Sequence, residues 1–159
     1  MKNTIFITLL LAVFSLQLSA QKGFEEKCIN YKDNKIDYEK YASAIGVQNQ
    51  SLGYTSFASG HQCKASADFS SAFGFLSIAS GERSFAAGLN SYAFAPSSFT
   101  FGNFIKALAS NTIILGTGFG DEQQEYLVNN TPNSLMIGFK STKPTFFVSP
   151  SSGGANKTG

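Results

Sequence analysis

From Tyr41 to Gly116 small and large side chains alternate, and the alternation recurs every 14 residues. Glycine stands at Gly46, Gly60, Gly74, Gly88, Gly102 and Gly116. Seven residues after each of the first five comes Gly53, Ala67, Gly81, Ala95 or Ala109. The repeating unit is therefore 14 residues made of two similar halves. Four residues before the first-series glycines stand Ala42, Ser56, Ser70, Ser84, Ser98 and Thr112. Two before them stand Ala44, Ala58, Ala72, Ala86, Thr100 and Ile114, and two before the second series stand Ser51, Ala65, Ala79, Ala93 and Ala107. Positions two apart share one face of a strand. This face has almost no large side chain, so it is expected to point into a very narrow interior.

The intervening positions point the other way. In the first halves they supply Ile45, Phe57, Phe73, Phe85, Phe99, Phe101, Ile113 and Leu115. In the second halves they read Gln50 and Leu52, Lys64 and Ser66, Ile78 and Ser80, Tyr92 and Phe94, Lys106 and Leu108. One outer face is thus a Phe/Ile/Leu stripe and the other is more polar. Each half fits a strand of about four or five residues and a tight turn, and stacked coils bring parallel strands about 4.8 Å apart. The pattern predicts an all-β parallel roll, a solenoid of about six 14-residue coils. An Ala/Ser interior buries little apolar area to offset the entropy of ordering the chain. The apolar stripe is also an exposed patch on a monomer. Both features point to an oligomer, with Ile45, Phe57, Phe73, Phe85, Phe99, Phe101, Ile113 and Leu115 facing its symmetry axis.

The flanks differ from the repeat. Residues 1–20 read as a secretory signal peptide, with Lys2 as the basic start, an apolar run from Ile5 to Leu16, and Leu18-Ser19-Ala20 at the cleavage position. That run is shorter than the about 20 residues needed to span a bilayer. Residues 21–40 are charged at ten positions and read as a polar cap on the first coil, with a ligand-binding tip as the other reading. Residues 41–120 hold the repeats. Asn133-Ser134-Leu135-Met136-Ile137-Gly138 restores the glycine motif 22 residues after Gly116, so about eight residues are inserted within Gly118 to Asn130. The segment 121–150 is therefore read as an insertion, a terminal coil and a strand over Thr145 to Val148, and 151–159 as a flexible Ser/Gly-rich tail.

Composition removes most chemistry. Charged residues make up 14% of the chain and the net charge is +2, without the clustered basic patch of a nucleic-acid binder. His61 is the only histidine, so no triad and no multi-histidine metal site is available. It follows Gly60, where a turn is expected. Asp121, Glu122 and Glu125 lack regular ligand spacing for calcium. Gly116, Gly118 and Gly120 lack the spacing and the βαβ context of a nucleotide loop. No enzyme activity, metal or cofactor is expected. Cys28 and Cys63 either pair in an oxidising compartment or leave Cys63 as a small buried residue.

The small-x-Ala-x-Gly pattern resembles the YadA-type head of trimeric autotransporter adhesins. It is carried by Tyr41-Ala42-Ser43-Ala44-Ile45-Gly46, Ser56-Phe57-Ala58-Ser59-Gly60, Ser70-Ser71-Ala72-Phe73-Gly74, Ser84-Phe85-Ala86-Ala87-Gly88 and Ser98-Phe99-Thr100-Phe101-Gly102. Ser77-Ile78-Ala79-Ser80-Gly81 is the best second half. The resemblance implies a left-handed parallel β-roll, trimerised side by side, that binds host or surface ligands. Phe often replaces the family's usual Val, which implies a bulkier interchain core. The family's coiled-coil stalk and membrane barrel are not seen before Gly159. The chain is accordingly expected either to be a piece of a longer protein or to use the repeat under another export route.

The expected function is an exported, adhesin-like binding module at the cell surface or outside the cell. Any membrane attachment runs through an anchor not seen in this sequence. Its partners are its own copies in a homotrimer and an extended protein or polysaccharide. The candidate ligand residues are Gln50, Lys64, Tyr92 and Lys106 on the polar face and Gln48, His61 and Asn90 at turns. A trimeric spacer in a longer fibre is the alternative. An ice- or glycan-binding solenoid needs an outward Ser/Thr ladder, whereas Ser56, Ser70, Ser84 and Ser98 fall in phase with the inward alanines.

Overall fold

A computed structural model describes residues 33–120 and 125–150. Residues 1–32, with Cys28 and the segment read as a signal peptide, residues 121–124, with Asp121 and Glu122, and residues 151–159, read as a tail, lie outside the described residues. The chain winds between two sheets of parallel strands. The eight-stranded sheet runs β2 (Ser43–Val47), β4 (Phe57–His61), β6 (Ser71–Phe75), β8 (Phe85–Leu89), β10 (Phe99–Asn103), β12 (Thr112–Thr117) and β14 (Ser134–Gly138), and ends on antiparallel β15 (Phe146–Val148). The seven-stranded sheet runs β1 (Lys35–Ile36), β3 (Gln50–Ser51), β5 (Lys64–Ala65), β7 (Ile78–Ala79), β9 (Ser91–Ala93), β11 (Ile105–Ala107) and β13 (Leu127–Asn129). Even- and odd-numbered strands alternate along the chain, so this is the expected all-β parallel roll.

The register is that of the sequence repeat. Ala44 pairs with Ala58, Ala58 with Ala72, and Ala72 with Ala86. Gly46, Gly60, Gly74 and Gly88 align in the same way. At Gly46 the reason for glycine is visible. Its φ is +112°, and a Cβ there would overlap the carbonyl oxygen of Gly60 on the next rung. L-residues avoid that backbone region, and the stacked carbonyl leaves no space. The corners use a second device. From Gly46 to Ala109, the residue two after each member of the two series, including Gln48, Gln62, Thr55 and Phe69, takes the left-handed conformation at φ 47–58°.

The predicted inward positions are buried. Ala44, Ala58, Ala72, Ala86, Ala65, Ala79 and Ala93 have no exposure. Two polar ladders satisfy the corners of this narrow core. At one corner Ser70 Oγ donates to Ala67 O (2.6 Å), Ser98 Oγ to Ala95 O (2.6 Å) and Thr112 Oγ1 to Ala109 O (2.8 Å). At the other, Asn49 Nδ2, Cys63 Sγ and Ser77 Oγ donate to the carbonyls of Gly60, Gly74 and Gly88, the first-series glycine one rung on. The serine ladder faces inward as read, and its bonds close turns. Small residues do not fill the whole interior. Ile105, Ile114, Leu127 and Met136 form an apolar cluster with Ala107 in the last rungs, where larger side chains replace most of the repeat's small ones.

The charged segment 21–40 does not stop short of the roll. Lys35 and Ile36 form β1, paired with Gln50 and Ser51, so the solenoid begins inside the segment read as a cap. Asn34 begins the same column: its Oδ1 accepts Asn49 N–H (2.8 Å), as Asn49 Oδ1 accepts Cys63 N–H (2.9 Å) one rung on. The insertion falls where the spacing places it. Ile105 pairs with Leu127 and Gly116 with Gly138, both 22 residues apart. The last strand begins one residue later than read, at Phe146.

Candidate functional site

The outward positions of the two sheets make two surfaces of different chemistry. On the eight-stranded sheet, period-two alternation brings the Phe/Ile/Leu residues onto one face. Ring centroids of Phe57 and Phe73 lie 5.4 Å apart, of Phe73 and Phe85 5.4 Å, and of Phe85 and Phe99 4.8 Å with nearly parallel planes. Phe57, Phe73 and Phe85 are half-buried, while Phe101 (59%), Ile113 (44%) and Ile45 (39%) stay exposed. Leu115 is half-buried on the same face. Val47 and Phe75, one residue past the glycines, widen the stripe by a column.

His61 belongs to this surface and not to the polar one. It is the last residue of β4, paired with Val47 and Phe75, and its ring stands edge-on to Phe75 at 5.1 Å. The turn starts one residue later, at left-handed Gln62. A strand that continues one residue past its glycine moves the imidazole off the corner. The placement of His61 in a turn is therefore corrected.

The seven-stranded sheet presents the polar face. Gln48, Gln50, Gln62, Lys64, Leu76, Ile78 and Tyr92, with Cys63 beneath, line a groove of about 430 Å³. Four of the predicted ligand residues, Gln48, Gln50, Lys64 and Tyr92, thus come together. Sequence reasoning missed Gln62, although it is the 14-residue counterpart of Gln48. The two amides are bonded, Gln62 Nε2 donating to Gln48 Oε1 at 3.1 Å. Asn90 is at a turn as read (φ 51°), but it is only 8% exposed. Its Oδ1 accepts the Tyr92 hydroxyl at 3.1 Å, so it positions Tyr92 and offers no open contact.

Lys106 lies further along the same face, engaged with the insertion. Its ammonium stands 3.6 Å from the Tyr126 ring centroid and 5.6 Å from that of Tyr92. Tyr126 also stacks on Tyr92 at 5.5 Å. Burial, and then the neighbouring Tyr92 hydroxyl, push the Tyr126 phenol above its ordinary value. The Tyr126 anchor was invisible to the repeat because the inserted residues have no counterpart in other coils.

Cys63 is fully buried with a free thiol, in column with Asn49 and Ser77. Burial raises its pKa, only partly opposed by backbone hydrogen bonds near Ser77 and His61. Among the described residues no three His, Cys, Asp or Glu side chains come together to hold a metal ion.

The fold and its two faces define a repeat solenoid whose chemistry lies on extended surfaces. The model of the YadA head domain repeat matches this chain in two overlapping copies, residues 51–77 and 65–91. That segment is therefore a YadA-type head repeat, and its register runs on through the neighbouring rungs. No curated protein and no solved structure gives a significant match to the chain.

Proposed function

We propose that this chain is the head of an exported, adhesin-like module in which three copies pack through the face of the eight-stranded sheet. Residues 1–20 direct export, residues 21–40 lead into the first rung, residues 41–120 form the head, residues 121–150 add the insertion and last coil, and residues 151–159 are a tail. Ile45, Phe57, Phe73, Phe85, Phe99, Phe101, Ile113 and Leu115 face the threefold axis. The polar face, with Gln48, Gln50, Lys64, Tyr92 and Lys106, points outward to an extended protein or polysaccharide ligand at the cell surface.

One observation carries this reading: a continuous row of contacting aromatic rings lies on a segment whose repeats are of YadA-head type. Large contiguous apolar patches on soluble proteins mark interfaces. Heads of this type form trimers, and a threefold arrangement would bury the stripe while leaving the opposite sheet free. The test is the solution mass of the purified protein, measured by light scattering coupled to gel filtration. A stable trimer is expected. Phe85→Glu, which buries a charge in the interface, is expected to give a folded monomer. A folded monomer from the unaltered protein would overturn the reading.

A further inference from the structure

We propose that the groove over β3, β5, β7 and β9 binds a carboxylate-bearing sugar unit of a linear polysaccharide. This deepens the adhesin reading above and rests on it.

Charge is the first argument. Lys64 is the one ionic side chain lining the groove, and no aspartate or glutamate lines it. The ion pairs on the described surface are elsewhere, Lys40 with Asp37 and Arg83 with Glu82. Lys106, the next lysine in the column, is occupied by the Tyr126 ring. Lys64 therefore presents an ammonium without a counter-ion above a surface that is otherwise neutral. A carboxylate complements it through a charge-assisted hydrogen bond.

The remaining lining fits a sugar ring. The Gln62-to-Gln48 bond uses one Gln62 N–H and the Gln48 carbonyl. It leaves the Gln48 amide as a two-proton donor and the Gln62 carbonyl as an acceptor, and Gln50 adds a second donor–acceptor pair. Hydroxyl groups need such mixed partners. Leu76, Ile78 and the Tyr92 ring supply an apolar floor for the C–H face of the ring. Tyr92 is held by Asn90 and by stacking on Phe94 at 5.4 Å, so the floor is preorganised.

The backbone argues against an extended acidic peptide. Peptides bind sheets chiefly by adding a strand at a free edge. Here β3, β5, β7 and β9 are each paired on both sides within the sheet, so the groove offers no edge. Recognition must run through side chains, which suits a hydroxyl-rich chain lying along the coils.

The test is calorimetric binding of the purified protein to oligogalacturonate, to its methyl ester and to poly-glutamate. Oligogalacturonate is expected to bind, and the ester and poly-glutamate to bind far more weakly. Lys64→Gln is expected to weaken binding about tenfold, as for one lost hydrogen bond to a charged group. Gln48→Leu is expected to weaken it as well, and Lys143→Gln, on an exposed distant loop, to leave it unchanged. Poly-glutamate binding as tightly as the sugar would overturn the proposal in favour of an acidic peptide. Equal binding by Lys64→Gln, or no binding of oligogalacturonate, would overturn it too. The solution mass is measured on the same samples. A trimer that ignores oligogalacturonate removes the groove and leaves the head reading in place, whereas a monomer that binds it removes the trimer and leaves the groove.

Discussion

Replacing Gly74 by alanine tests the physical reason for the glycine ladder. Gly74 sits in β6, between Gly60 and Gly88 on adjoining rungs. Its φ is +103°, and an added Cβ would overlap the carbonyl oxygen of Gly88. Holding an L-residue in that backbone region costs about 1–3 kcal/mol. The overlap is with backbone that is itself fixed in the ladder, so no rotamer change relieves it. Overpacking of this kind adds about 1–3 kcal/mol. The two together come to about 4 kcal/mol. The control is Ala67→Gly, in the second series, where φ is not positive. There the loss is chain entropy, at most about 1 kcal/mol. Urea unfolding followed by far-ultraviolet circular dichroism separates the two. With a slope near 2 kcal/mol per molar urea, Gly74→Ala should lower the midpoint by about 2 M and Ala67→Gly by about 0.5 M or less. Chain concentration is held constant, because association shifts apparent stability. Equal shifts would refute the argument that close rung-to-rung approach, and not general flexibility, demands glycine.

Four further substitutions have expected outcomes. Ser70→Ala should cost about 1 kcal/mol in the same unfolding assay, since it removes a 2.6 Å bond to Ala67 O. Ser84→Ala should be near neutral, because the buried Ser84 hydroxyl has no hydrogen-bond partner. Cys63→Ser should keep the fold, as Ser77 already makes the equivalent bond one rung on. The native Cys63 thiol should resist a thiol reagent until unfolding exposes it. Because folding raises its pKa above 9.0, stability should fall as pH rises past 9.0, and Cys63→Ser should flatten that alkaline slope. Lys106→Met should free the insertion, at a cost of about 1 kcal/mol for the lost cation–π contact. Hydrogen exchange at Glu125 to Leu127 should rise with little change at β4 to β8.

Much of the fold was legible because the repeat states one environment many times. Six glycines in register give the coil length, the strand face and the rung pairing together. The interior followed from the same alternation, as Ala44 to Ala86 and Ser56 to Ser98 are buried. What escaped was whatever the repeat does not average. His61 was misplaced because the strand runs one residue beyond Gly60. Asn90 shares its turn with Gln48 and Gln62 but folds under Tyr92, a contact specific to one rung. Ile105 stands where earlier coils have Asn49, Cys63 and Ser77, and it marks the change of core that the small-residue pattern hides. The groove was half legible. Its residues lay in the outward set, but their meeting depends on corner geometry, where each left-handed residue turns its side chain back over the sheet.

The change of core gives the outer stripe its physical sense. In the early rungs, donors at Asn49, Cys63 and Ser77 satisfy the glycine carbonyls, and alanine fills the remaining space. Hydrogen bonds of this kind mainly avoid a desolvation penalty and add little net stability. Alanine methyls add little transfer free energy. In the late rungs Ile105 has no donor to offer, and Ile114, Leu127 and Met136 pack around it. Those rungs carry an apolar core of their own. The early rungs have a core of alanine methyls and Cys63 alone, yet they carry the contacting rings of Phe57, Phe73, Phe85 and Phe99 on their outside. The large apolar side chains that a narrow coil has no room for inside have been placed on its outer face. Burying them there requires a second surface, and a second copy of the same face is the partner the repeat supplies.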